Sequence, residues 1–180
     1  MKLYHGSTVA VRKPSLRNGR KRTDFGKGFY TTTRPEQAEH WAKHVQDRRK
    51  AKNAVVSVYE IDESVLTDGE MKVREFNGVD LAWLDFVVNN RKSKPELHDF
   101  DLVLGPVAND NVYATVNLYE DGVLDAESAI NQLKAYKVYN QLSFHTARAI
   151  KMLKFIESYE VPLPSNSLNS TLITPLTPHL

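Results

Sequence analysis

The stretch "DFGKGFYTTT" at residues 24–33 sets two glycines around a lysine and runs directly into an aromatic pair and three threonines. Such a turn lets the backbone approach a flat ligand closely, because glycine carries no Cβ, and it serves equally as an ordinary turn into a strand. Other residue sets suggest chemistry that their surroundings do not sustain. "DFG" has the form of a magnesium-binding kinase signature, but no GxGxxG loop, VAIK lysine or HRD loop accompanies it. "GKG" lacks the GxxxxGK[ST] frame of a phosphate loop. His40 and His44 stand at i, i+4 in "HWAKH", a spacing metals use, yet no glutamate lies between them and no third ligand is near. Asp99, Asp101 and Asp110 flank a strand without a regular oxygen-ligand spacing. No metal site is expected.

The elements that must position these residues follow from pattern. "KLYH" (2–5) alternates and predicts a strand; residues 6–27 are polar and basic and predict a long loop. "GFYTTT" is aromatic and β-branched, a second strand. Thr33 with Glu36 three residues on makes a capping box, and Ala38, Trp41, Ala42 and Val45 recur at helical spacing, predicting an amphipathic helix over 34–51. Further strands are expected at 53–62, 71–76, in "DFDLVLGPVA" and at 140–146, with helices at 79–90, 111–120 and 125–137. A last helix is read from Ala149, Ile150, Leu153 and Ile156, capped by Thr146. Strands and helices mix without a regular βαβ alternation, so the expected class is α+β.

Composition sets the outer bounds. A chain of 180 residues, 41% hydrophobic and 26% charged, is a prior for one globular domain. With no cysteine there is neither a disulfide nor a thiolate metal site. No run of 18 apolar residues and no apolar leader occurs, so a cytoplasmic protein with no membrane association is expected. The net charge of +2 hides an asymmetry: residues 1–52 carry 14 Lys and Arg against 4 Asp and Glu, the rest 10 against 18. Any anionic ligand is therefore expected near the N-terminal third. The domain is placed at 1–159, followed by a Pro/Ser/Thr-rich tail at 160–180 with four prolines and no Asp, Glu, Lys or Arg after Glu160.

Three segments, in order, carry a resemblance: "LYHGS" (3–7), "FGKGFYTT" (25–32) with Trp41 eleven residues beyond Tyr30, and "YNQLSFHT" (139–146). Together they resemble the ADP-ribosyltransferases of the diphtheria-toxin and poly(ADP-ribose) polymerase branch, over roughly residues 1–157. Within that branch, "DLVLGPVANDNVY" and "NQLSFHT" look like a bacterial family of toxin-like proteins. The resemblance implies a split β-sandwich of two small mixed sheets around an NAD cleft, flanked by helices. It implies that His5 hydrogen-bonds the adenosine-side ribose, that the Gly6 backbone meets the nicotinamide carboxamide, and that Ser7 touches a ribose. Tyr30 would stack on the nicotinamide with Trp41 closing a sandwich, while Gly26 and Gly28 admit the ligand's edge. Taken singly, His5, Tyr30 and Trp41 also suit a core, and the glycines also suit a turn.

One position departs from that pattern. The family's acid is a glutamate before the late strand; here Gln141 stands there. Its amide accepts the same ribose hydrogen bond but brings no charge and no base. Either transfer of a single ADP-ribose survives the change, or another acid enters, Asp110 being the candidate. The implied activity is NAD-dependent mono-ADP-ribosyl transfer, a glycosyltransferase reaction with NAD as co-substrate and a protein or nucleic-acid acceptor. The family context implies the toxin of a bacterial toxin–antitoxin pair with an antitoxin partner. The alternative is a non-catalytic nucleotide-binding member of the same fold.

Overall fold

The N-terminal alternation forms strand β1 (Lys2–Ser7), and the aromatic and threonine run forms β2 (Phe29–Thr32). The structure, a computed structural model, describes residues 1–19, 22–92, 98–107, 110–136 and 139–162, and of Asn18, Asp110 and Asn111 the backbone alone. Helix α1 (Pro35–Arg49) follows β2, then β3 (Val55–Glu60), β4 (Val73–Glu75) and helix α2 (Leu81–Arg91). The order continues with β5 (Leu102–Pro106), α3 (Asp110–Glu120), α4 (Ala126–Lys134), β6 (Asn140–Phe144), α5 (Ala147–Lys151) and β7 (Lys154–Glu160). The class is α+β, with seven strands in one mixed sheet ordered β4-β5-β6-β2-β1-β3-β7. Only β4 and β5 run parallel; every other neighbouring pair is antiparallel.

Where two small sheets were expected, a single one is observed, because β2 pairs on both sides. Its four residues pair along their length with β6, from Phe29↔Phe144 to Thr32↔Gln141. Its pairing with β1, by contrast, rests on Tyr4↔Thr32 alone, while β1 pairs six residues with β3. The sheet is continuous but nearly parted at that join.

Alternation along the strands sends side chains to two faces. Leu3, Phe29, Tyr59, Leu102, Leu142 and Phe144 pack together on one. The other carries two separate clusters. Trp83 and Leu84 of α2 pack with Phe25, Phe76 and Val103, joined by Val112 and Val116 of α3, with Tyr30 against them. Ala38, Ala42, Ala54 and Val56 join α1 to β3.

Four expectations need correction. The N-cap of α1 is Arg34 rather than Thr33, and no side chain caps it; Thr32 Oγ1 instead accepts from the Arg34 amide at 3.2 Å and donates to Gln37 Oε1 at 2.7 Å. Trp41 is not on the buried face of α1, which Ala38, Ala42 and Val45 fill. The last helix is five residues long, capped by Thr146 as expected, and Ile156 belongs to β7. That strand was missed because Ala149, Ile150, Leu153 and Ile156 mimic a helical period; pairing with β3, almost a hundred residues earlier in the chain, decides otherwise. Finally, Glu160, expected in the tail, closes β7, and Val161 is buried with its amide donating to Ala54 at 2.8 Å. Residues 163–180 lie outside the described residues.

Candidate functional site

At the join of β1 and β2 two of the sequence motifs meet. Continuing the Tyr4↔Thr32 register would set Gly6 opposite Tyr30, but the ladder stops. In its place His5 Nδ1 donates to the Tyr30 carbonyl at 2.7 Å. A carbonyl only accepts, so the proton is on Nδ1, and in the neutral ring Nε2 is an acceptor, without a partner among the described residues. Burial pushes the His5 pKa down, more than the Tyr30 bond raises it, and favours that neutral form. Phe29 backs the ring at 4.4 Å between centroids. The interrupted ladder thus leaves two strand edges and one oriented imidazole.

The glycines around the opening have partners within the protein. A Cβ on Gly6 would stand 2.1 Å from the Ala38 carbonyl oxygen and 2.8 Å from the Ala42 nitrogen, so α1 alone requires glycine there. Gly26 adopts φ +81°, and a Cβ would meet Asn90 Oδ1 at 2.7 Å. At Gly28 a Cβ would fall 2.9 Å from the His145 ring and from the Phe144 carbonyl. The "GKG" turn is therefore shaped by His145 and Asn90. Tyr30 holds it from beneath: its hydroxyl accepts from the Phe25 amide at 3.1 Å and lies 2.6 Å from the Gly26 carbonyl and 2.9 Å from Thr23 Oγ1. Burial raises the phenol's pKa strongly and keeps it protonated for these bonds.

Gln141 reaches the same face of the sheet as Tyr30, since it pairs with Thr32, two residues along β2. It is 8% exposed, and its Nε2 has no hydrogen-bond partner. A buried amide donor without an acceptor is costly in a folded protein, which makes this the site's most informative atom. Trp41 is 44% exposed and stacks on His44, 5.3 Å between centroids at 21°. It rises from the flank of α1 that faces β2, because Gln37, one turn earlier, is bonded to Thr32. No ring contact joins Trp41 to Tyr30 among the described residues. Ser7 ends β1, paired with Val55. Asp110 opens α3, and its side chain lies outside the described residues.

Several residues of this region escaped sequence reasoning. His145 Nδ1 donates to the Lys27 carbonyl at 3.1 Å, and its Nε2 lies 2.8 Å from Ser143 Oγ, which also reaches the Val103 carbonyl at 3.1 Å. Burial first, then the neighbouring His98, hold the His145 pKa down at about 4 against the Lys27 bond. His98 donates from Nε2 to the Phe25 carbonyl at 2.8 Å, 4.6 Å from His145 between ring centroids. Asp24, set aside with the kinase-like "DFG", pairs with Arg91 across 67 residues, and nothing in the sequence marks that pairing. The one signal available was His145 itself, inside "NQLSFHT". Among the described residues no group of three or more His, Cys, Asp or Glu is arranged to hold a metal ion. No helix among them is long and apolar enough to cross a membrane.

Residues 1–155 match the model of a family described as a protein of unknown function, DUF3990. No curated protein and no solved structure matches the chain.

Proposed function

The chain belongs to the DUF3990 family, and we propose that it binds NAD at the opening between β1 and β2 and acts as a mono-ADP-ribosyltransferase, with an ADP-ribosyltransferase-like fold. The single observation that carries the reading is the interrupted ladder, where the Tyr30 carbonyl is taken by His5 rather than by β1. Two strand edges parted in this way suit the planar carboxamide of a nicotinamide. The acceptor at His5 Nε2, without a partner among the described residues, suits a ribose hydroxyl on the Phe29 face of the sheet, and the orphaned Gln141 amide a ligand oxygen on the Tyr30 face. When bound, NAD supplies a glycosidic bond whose electron pair leaves with the nicotinamide, while an acceptor oxygen or nitrogen takes the ribose carbon and releases its proton to water. The chain's residues contribute binding and orientation; Gln141 fixes a hydroxyl without stabilising positive charge. A protein or nucleic-acid acceptor approaching over the basic segment 11–22 fits the charge asymmetry.

The amide at Gln141 also favours a second reading, a nucleotide-binding protein that has lost catalysis. NAD titration and nicotinamide release with added cell extract, on wild type, Gln141→Ala and Gln141→Glu, separate the two. A transferase releases nicotinamide as wild type, loses release in Gln141→Ala, and gains on the order of 10²-fold in Gln141→Glu as the carboxylate adds its electrostatic share. Binding without release in all three points to the non-catalytic protein. Absence of NAD binding in the folded wild type overturns both.

A further inference from the structure

Among the described residues, one buried cationic side chain has a donor that nothing accepts: Arg91 Nη1. Arg91 closes α2, and its side chain is 9% exposed. Nε and Nη2 donate to the same Asp24 oxygen at 3.0 and 2.5 Å, and the Tyr113 ring lies 4.3 Å from Cζ. These contacts immobilise the guanidinium and leave Nη1 over. An unpaired donor on a buried ion is costly unless an acceptor joins it, and a guanidinium prefers phosphate or carboxylate oxygens.

Charge and position favour phosphate. The flanking segments 22–28 and 89–92 hold Arg22, Lys27, Arg91 and Lys92 against Asp24. Tyr113 lies in the first turn of α3, whose positive end adds to the field there. Asp24 sits between Thr23 and Phe25, in the loop that the Tyr30 hydroxyl holds, so Arg91 is tied through Asp24 to the segment leading into β2. We infer that Arg91 anchors the diphosphate of a nucleotide. This rests on the NAD reading in taking that diphosphate to be the dinucleotide's own.

Calorimetric titration of the full chain with ADP, AMP, adenosine and inorganic pyrophosphate tests the anchor without turnover. Affinity is expected to fall from ADP to AMP to adenosine, and pyrophosphate to compete with ADP. Arg91→Lys keeps the charge for Asp24 but has no spare fork, and is expected to weaken ADP about tenfold or more while nicotinamide riboside binds as before. Equal affinity for adenosine and ADP in the wild type overturns the anchor, as does a folded Arg91→Lys that binds ADP normally. Thermal unfolding checks the variant; if it does not fold, the wild-type phosphate series decides alone. Pyrophosphate binding as tightly as ADP would assign the anchor to a free diphosphate and overturn the nucleotide. Arg91-dependent ADP binding without nicotinamide riboside binding or nicotinamide release would keep the anchor and remove NAD. Nicotinamide release with phosphate-independent affinity would do the reverse.

Discussion

Over β4, β5 and β6 the helices stand on large side chains, Phe25, Phe76, Trp83 and Leu84, whereas over β1 and β3 the helix α1 rests on Ala38, Ala42, Ala54 and the bare backbone of Gly6. One half of the sheet is filled by volume and the other by close approach. No buried cluster spans both on that face, and the join between them is where the β1–β2 ladder stops. The difference teaches how to divide the motif residues: Gly6, Gly26 and Gly28 are accounted for by packing within one half or the other. His5 and Gln141, at or beside the join, retain unpartnered polar atoms.

The comparison predicts opposite sensitivities. Removing volume should hurt most in the first half. Trp83→Ala loses a fully buried indole and its bond to the Pro106 carbonyl at 3.1 Å, and should cost about 3–5 kcal/mol in denaturant unfolding. Adding volume should hurt in the second: Gly6→Ala drives a methyl into the α1 backbone and should cost about 1–3 kcal/mol. If Gly6→Ala unfolds at the wild-type denaturant midpoint, α1 does not rest on the strand and the contrast collapses.

Acid should act more gently and chiefly on the first half, since His145 follows β6 and Asp101 precedes β5. The folded state holds His145 at about 4, below its ordinary 6.5, so the unfolded chain binds its proton first. Stability is then full above 6.5 and falls as the pH drops towards about 4. Asp101 behaves differently. Burial pushes its carboxyl up, but bonds from Arg148, Thr146 and the Lys72 amide together hold it at about 2. Its contribution, present above 3.8, disappears as the pH falls through about 2. His145→Asn should flatten part of the upper window, where His5 also contributes, and leave the lower loss in place. A pH–stability profile unchanged by His145→Asn would mean that the ring is not buried as described.

Much of this architecture was legible because it is local. Periodicity placed α1 within two residues at each end, and the β-branched runs gave β2, β3, β5 and β6. The motif order set β1 beside β2, but only the Tyr30 carbonyl meets His5: the imidazole lies against Phe29 on one face of the sheet and the Tyr30 ring packs on the other. What could not be read is what each glycine meets, since Ala38, Asn90 and His145 approach from 32, 64 and 117 residues away. β7 failed for the same reason, its edge position being decided by β3 and not by its own pattern. The capping box at Thr33 failed more narrowly: Thr32, one residue earlier, bonds Arg34 and Gln37 and moves the helix start along.

The smallest effect on stability is the sharpest test of the join. Trp41 lies on α1, the close-packed half, but off its buried Ala38–Ala42–Val45 face: it is 44% exposed and stacked on His44. Trp41→Ala should change unfolding by no more than about 0.5 kcal/mol. Gln37, a turn earlier, is tied to Thr32, so the indole stands on the β2 side of the helix, where a pyridinium held between β1 and β2 would meet it. An aromatic beside such a cation contributes about 0.5–1 kcal/mol at an exposed site, which predicts a two- to five-fold weaker NAD affinity. A variant that keeps both stability and NAD affinity would return Trp41 to the solvent surface of α1. One that keeps stability and loses affinity would show that the half built by close approach also supplies a wall of the opening.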